Sequence, residues 1–299
     1  MSVYIPPMNR RRFLKTTSLA ATGLMIGCKD SITGSYSDGS DVPVDPNYFA
    51  LISDTHIDHP KTVAHGYYTA NNLEMTVNRI LNNPERLPAG VIINGDFGDI
   101  RATADQYGLA KWILKPLSEA GIPVYIAIGN HDLRDQFFQV FEDYLDKNGP
   151  VPNRHVGMIE TPNVYILLTD TSEGMSTPGL FRDHQLQWIN DTLHTYNDKP
   201  VLLFGHHPAQ SLGDFDAFFN VVNPHKHAKA YIAGHLHRME LNMRGDFHLL
   251  LQPCTRGTGQ TTPIGFFHAQ ILSDRLDFVV DNIDRNSHWH GRRYSLAYR

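Results

Sequence analysis

Five times along this chain a short apolar run ends abruptly on a cluster of Gly, Asp, Asn or His. Tyr48-Phe49-Ala50-Leu51-Ile52 leads into Ser53-Asp54-Thr55-His56, and Val91-Ile92-Ile93 leads into Gly95-Asp96-Phe97-Gly98-Asp99. Val124 to Ile128 leads into Gly129-Asn130-His131-Asp132. Val201-Leu202-Leu203-Phe204 leads into Gly205-His206-His207-Pro208, and Tyr231-Ile232-Ala233 into Gly234-His235-Leu236-His237. Runs this short and this apolar read as strands buried on both faces, as parallel sheets require. Open α/β sheets place their sites at the carboxyl ends of such strands. The pattern therefore predicts an α/β fold with one polar site assembled from five turns.

The intervening segments carry the helical period. Leu73, Val77, Ile80 and Leu81 fall on one helix face, with Asn71 or Asn72 as a candidate cap. Ala110, Ile113, Leu114 and Leu117 form a second face, which Pro116 should kink or end and Gly121 should stop. Val164 to Leu168 is a further strand, and Leu186, Ile189 and Leu193 mark the helix after it. Beyond Gly234 the pattern changes to strands without helices, over 239–243, 247–251, 264–272 and 276–281. The last third is thus β-rich.

The amino terminus reads as an address. Arg10-Arg11-Arg12-Phe13-Leu14-Lys15 precedes a weakly apolar stretch from Leu19 to Gly27, the charged-then-apolar order of an export signal. The double arginine resembles a twin-arginine signal, and Leu24-Met25-Ile26-Gly27-Cys28 resembles a lipobox whose Cys28 is lipidated after cleavage. An ordinary cleaved signal with an incidental cysteine is the other reading. Residues 1–27 are assigned to the signal and the Ser-, Gly- and Asp-rich 28–46 to a flexible tether. The folded domain is expected over 47–285, with a carboxyl-terminal tail over 286–299. The expected location is the periplasm or cell envelope, with a lipid anchor as the contact to the membrane.

Composition narrows the partners. A formal charge of −5, from 26 basic and 31 acidic residues, gives no basic stripe for a nucleic-acid polymer. Two cysteines cannot build a disulfide framework or a thiolate zinc site, whereas 17 histidines supply imidazole freely. The five turns together offer Asp54, His56, Asp96, Asn130, His206, His235 and His237 as N and O ligands. Seven such ligands with one shared carboxylate suffice for two divalent cations of the Mn, Fe or Zn type. Each cluster alone has a plainer reading as a turn or a surface pair of histidines. Five such turns in succession do not.

Taken in order, Asp-x-His, Gly-Asp-x-x-Asp, Gly-Asn-His-Asp, His-x-Pro and Gly-His-x-His resemble the calcineurin-like metallophosphoesterase superfamily. The resemblance extends from Asp54 to His237. It implies two packed mixed β-sheets flanked by helices, a four-layer α/β/β/α fold. It implies one metal on Asp54, His56, Asp96 and His237, and another on Asp96, Asn130, His206 and His235, with Asp96 bridging. Within His206-His207-Pro208 it gives the ligand role to His206, leaving His207 to support the site or face the substrate. The implied reaction is hydrolysis of a phosphomonoester or phosphodiester by a metal-bridging hydroxide. His131 would protonate the leaving group, and Asp99 would hydrogen-bond His131, with a loop cap as the plainer reading of Asp99. Asp99 stands where purple acid phosphatases carry a tyrosine ligand. The chain is therefore more similar to the branch of bacterial cyclic-nucleotide and glycerophosphodiester phosphodiesterases, so the expected partner is a small phosphorylated substrate. The reading from a different class is a non-catalytic envelope lipoprotein that binds phosphorylated ligands on a retained metal site.

Three weaker features remain. Arg256 follows a late strand and either meets a substrate phosphate or is solvated. Tyr67-Tyr68 either stack on a base or pack in the core. His288-Trp289-His290 has ligand-like spacing in the expected tail.

Overall fold

The computed structural model describes residues 42–58, 68–144, 149–175, 178–257 and 262–299. The expected signal, Cys28, most of the tether and Tyr67 lie outside the described residues. The elements are β1 (Val44–Ile52), α1 (Thr69–Leu81), β2 (Leu87–Asn94), α2 (Ala104–Glu119), β3 (Val124–Ala127) and α3 (Arg134–Val140). Then come β4 (Gly157–Glu160), β5 (Tyr165–Leu168), α4 (Arg182–Thr195), β6 (Val201–Phe204), α5 (Phe215–Val222) and β7 (Ala228–Ala233). The last third holds β8 (Glu240–Arg244), β9 (Phe247–Leu251), β10 (Gly265–Ile271), β11 (Arg275–Asn282) and β12 (Arg293–Ala297).

They form two six-stranded mixed sheets, ordered β12-β11-β10-β1-β2-β3 and β4-β5-β6-β7-β9-β8. The strands that precede the polar turns are parallel neighbours, β1 with β2 and β2 with β3 in one sheet, β6 with β7 in the other. Alternation along each strand makes the layers. Ala50 and Ile52 face α1 and α2, packing with Leu73, Val77, Ile113 and Leu114. Phe49 and Leu51 face inward and meet Ile166, Leu168, Leu202 and Ile232 of the second sheet. On that sheet's outer side, Leu167, Leu203 and Tyr231 pack on Ile189, Leu193 and Phe218 of α4 and α5. The fold is two mixed sheets face to face with helices outside both.

Helix ends depart from the expected ones. α1 starts at Thr69 without a side-chain cap, because Asn72 is buried in its first turn and donates from Nδ2 to Thr255 O at 2.8 Å. α2 runs through Pro116 and ends within a turn of it, at Glu119. It ends on Gly121 at φ +74°, with Gly121 N bonded to Ser118 O and Ile122 N to Leu117 O. Those two bonds form a Schellman cap. At its start Thr103 and Gln106 make a reciprocal capping box.

Two domain boundaries are corrected. β1 begins at Val44, inside the expected tether, because Val44 and Asp45 pair with Leu87 and Pro88. The expected tail 286–299 contains β12, which pairs with β11 through Leu276–Leu296 and Phe278–Tyr294. Leu296 is buried and Trp289 packs on the inter-sheet core, so this segment completes the first sheet. His290 is engaged with Asp281 at 3.4 Å rather than in a metal triad.

A buried ionic network fixes the turn after β5. Fully buried Asp170 takes Arg134 Nη2 at 2.7 Å and the amides of His155 and Ser172 at 2.9 and 3.0 Å. Burial raises its pKa, but Arg134 and Arg154 outweigh that and hold it below the ordinary value. Asp170→Asn leaves both cations short of a counter-charge and should lower unfolding stability by about 3 kcal/mol in urea titrations near neutral pH. A depressed folded pKa means the contribution is present above the unfolded pKa and is lost as pH falls through the folded one. The gap between wild type and variant should therefore close below about pH 4.

Candidate metal centre

All five polar turns converge at the carboxyl ends of their strands. The first two turns are laced by backbone bonds, Asp54 N to Gly95 O at 3.1 Å and His56 N to Asp96 O at 3.0 Å. The two sheets are tied at the same level. Asn94 Nδ2 donates to Ile232 O at 3.0 Å, and His235 N donates to Asp54 Oδ1 at 2.9 Å. The third turn is held by Asp132, which is buried and accepts from Phe97 N, Gly129 N and Tyr107 Oη at 3.1, 2.9 and 2.9 Å. Its place beside His131 was visible in the sequence, but Phe97 N, Gly98 N and Tyr107 Oη reach it through tertiary structure, and Gly129 N alone is local.

Aiming side chains from turns at one point demands unusual backbone. Asp54, His56, Asp96, His235 and His237 all have positive φ, between 43° and 73°. Five non-glycine residues in the left-handed region, all in one site, mark strain held by the surrounding bonds. Gly95, Gly129 and Gly234 leave room beside it. A Cβ at Gly129 would lie 2.3 Å from Asp96 Oδ1, and one at Gly234 would lie 2.4 Å from Asp54 Oδ2.

The seven expected ligands are brought together in two groups. Asp54, His56, Asp96 and His237 form one, and Asp96, His206 and His235 the other, so Asp96 is shared. Asn130 joins the second, its Oδ1 2.9 Å from His235 Nδ1. His56 Nε2 and His237 Nε2 face each other at 2.9 Å, His237 Nε2 is 3.3 Å from Asp54 Oδ1, and His206 Nε2 is 3.1 Å from Asp96 Oδ2.

These residues fit a pair of divalent cations. Metal ligands must be neutral imidazoles and ionised carboxylates. Burial keeps His56 below its usual pKa and brings His235 down to about 4. Burial alone would raise Asp54 and Asp96, but the surrounding imidazoles hold both carboxyls below their ordinary value. His206 differs. Burial opposes its charge, yet Asp96 and Asp54 raise its pKa to about 10. Its Nδ1 is 2.9 Å from Asn94 O, which leaves the buried Nε2 toward Asp96. A carbonyl behind an imidazole fixes the tautomer a metal needs.

Other expected residues sort plainly. His131 lies at the mouth, its side chain 21% exposed and its Nε2 3.9 Å from Asp96 Oδ2. His207 is fully buried behind His235, with Nδ1 2.8 Å from Thr171 Oγ1, so it supports the site and does not face substrate. Asp99 requires a correction. It makes no hydrogen bond to His131, whose Nδ1 is buried and unpartnered among the described residues. Its Oδ1 instead stands 3.5 Å from His56 Nδ1, because Asp99 N donates to Ile57 O at 3.1 Å and pins Asp99 to the first turn. Arg256 is half-buried, its Nε enclosed without a partner among the described residues and its amide bonded to Asp54 O at 3.2 Å. Tyr68 is half-exposed rather than packed in the core.

A fold of two packed mixed sheets with a paired metal site between their strand ends defines a dinuclear phosphoesterase. The family profile described as calcineurin-like phosphoesterase matches residues 48–239, and the chain belongs to that family. It is a metal-dependent phosphoric ester hydrolase. A probable glycerophosphodiester phosphodiesterase of Arcobacter nitrofigilis is 27% identical over 205 residues, covering 64% of this chain and 72% of that one. A 3',5'-cyclic adenosine monophosphate phosphodiesterase of Pseudomonas aeruginosa is 25% identical, covering 75% of this chain and 77% of that one. Among solved structures, a dimetal phosphatase of Danio rerio superposes with a TM-score of 0.64 at 18% identity, covering 85% of this chain and all of that one. That likeness concerns the fold.

Because Asp96 belongs to both donor groups, Asp96→Ala should reduce bound metal from about two ions to fewer than one per chain. His206→Ala and His237→Ala should each weaken one ion. Elemental analysis after gel filtration checks this, and equal losses in all three variants would contradict a shared carboxylate.

Proposed function

We propose that the protein hydrolyses phosphodiester bonds in small molecules, outside the cytoplasmic membrane, as a lipid-anchored enzyme. The observation that carries the catalytic part is the pair of ligand groups sharing Asp96, with His131 at the mouth. The substrate class draws support from the relatives named as glycerophosphodiester and cyclic-nucleotide phosphodiesterases. The chain's own residues supply no basic stripe for a polymer, which favours a small substrate.

Two divalent cations, when bound, neutralise the phosphate, align it and lower the pKa of the attacking water. Asp54, His56, Asp96 and His237 would hold one, and Asp96, Asn130, His206 and His235 would hold the other. His131 reaches the same space from the solvent side. In-line attack by water forms a new P–O bond as the ester P–O bond breaks; the leaving oxygen takes a proton from His131, and the proton given up by the water restores it. His207 and Asn94 keep His235 and His206 in place and take no part in proton transfer.

Metal-loaded protein should hydrolyse bis-p-nitrophenyl phosphate and at least one of glycerophosphocholine or cyclic AMP. Loss of all turnover with Mn, Zn, Fe and Co present would favour the binding-protein reading instead. His131→Ala should keep both metals and lose about 10²–10⁴-fold in rate with alkyl leaving groups. With p-nitrophenolate, which departs without a proton, the loss should be much smaller. Equal losses for both would assign His131 to charge stabilisation.

The envelope location rests on Arg10, Arg11 and Cys28, which resemble a twin-arginine lipoprotein signal. Lysine at positions 10 and 11 should leave active precursor in the cytoplasm. A multiply acylated Cys28 should hold the wild type in the membrane fraction through a high-salt wash, since one chain alone binds only marginally. Mass spectrometry of the mature amino terminus decides, and an unmodified, fully soluble protein would remove the anchor.

A further inference from the structure

The side of His56 that faces away from the metal centre has its own partner. His56 Nε2 points into the centre, 3.7 Å from Asp96 Oδ2 and 2.9 Å from His237 Nε2. Its Nδ1 points the other way, is buried, and has Asp99 Oδ1 in front of it at 3.5 Å. That oxygen is itself buried and has no hydrogen-bond partner among the described residues. Two buried orphans facing each other are a pair, since either one alone would carry the full cost of desolvation. The approach is not accidental. Ile57 and Gly98 form a parallel bridge, and the bonds Ile57 N to Phe97 O and Asp99 N to Ile57 O lock the Asp99 turn against the His56 turn.

We infer that Asp99 is a positioning residue for His56, the outer carboxylate of a carboxylate–histidine–metal relay, and that it sets the affinity of the Asp54/His56/Asp96/His237 position. The inference deepens the proposed function, because it presumes that position holds a cation. His206 has a backbone carbonyl, Asn94 O, in the matching role. The two ions would therefore be held by histidines with different partners behind them, a carboxylate on one side and a neutral carbonyl on the other. A carboxylate raises imidazole basicity more than a carbonyl does. Asp99 thus gives the two positions unequal affinities. The role requires the Nδ1–H tautomer of His56, with Nε2 left to the metal.

The test is zinc titration of full-length, chelator-stripped protein against a chromophoric competitor, for wild type, Asp99→Asn and His131→Ala. Asp99→Asn should weaken one of the two zinc sites by about 10–100-fold and leave the other unchanged. His131→Ala should change neither. At saturating zinc, Asp99→Asn should show the wild-type ratio of rates for p-nitrophenyl and alkyl esters. Unchanged affinities, an equal loss at both sites, or a leaving-group-dependent defect at full metal would each overturn the inference. The last of these would return Asp99 to His131. If Asp99→Asn does not fold by circular dichroism, nitrogen-15 spectra of zinc-loaded wild type decide. A protonated His56 Nδ1 with zinc on Nε2 supports the relay, and zinc on Nδ1 ends it. A protein that binds no zinc at all fails the proposed function first, so the two failures are distinct.

Discussion

Asn94 holds the two sheets together where the chemistry takes place. Its side chain crosses to Ile232 of the second sheet, and its carbonyl sits behind His206. Around it, His235 N reaches Asp54, and Gln252 Nε2 reaches Ile52 O at 2.8 Å. Between the sheets most contacts are apolar side chains, which set distance but little direction, with ties such as His248 Nε2 to Ala297 O at 2.8 Å added away from the site. At the strand ends they meet through hydrogen bonds, which set position to within tenths of an ångström. A site drawing ligands from both sheets needs that second kind of contact.

This bonding also explains how the strained turns persist. Asp54, His56 and Asp96 adopt left-handed backbone while their amides and carbonyls are paired across the loops. Each such residue costs of order 1 kcal/mol or more in isolation. The lattice of loop bonds removes the alternatives, so the cost is met by the fold. The loops themselves thus aim the ligands at one point.

The sequence carried most of the architecture, and the reason is physical. Parallel strands buried on both faces read as unbroken apolar runs, so β1, β2, β3, β6 and β7 were visible with the turns that follow them. The short β4 lies at a sheet edge and was missed, since Gly157 to Glu160 has neither length nor alternation. β12 was missed because Arg293, Tyr294 and Ser295 carry little apolar signal, and Leu296 is its one buried side chain. Ligand identity was legible because His and Asp at strand ends have few other uses. Partners behind the ligands were not. The carbonyl of Asn94 and the approach of Asp99 to His56 depend on which turns lie side by side, and no spacing encodes that.

One consequence concerns the order in which the chain is made. β1 leads into the turn that holds Asp54 and His56, and its other neighbour is β10, with Tyr48 touching His268 at a separation of 220 residues. A ribosome therefore exposes the first ligand strand long before its sheet partner exists. Until then one edge of β1 is an open template for any passing strand. Such non-local pairing is slow, and its exposed intermediates invite chaperones. The ligands are all synthesised by His237, whereas β10, β11 and β12, which complete the first sheet, come after it in the chain.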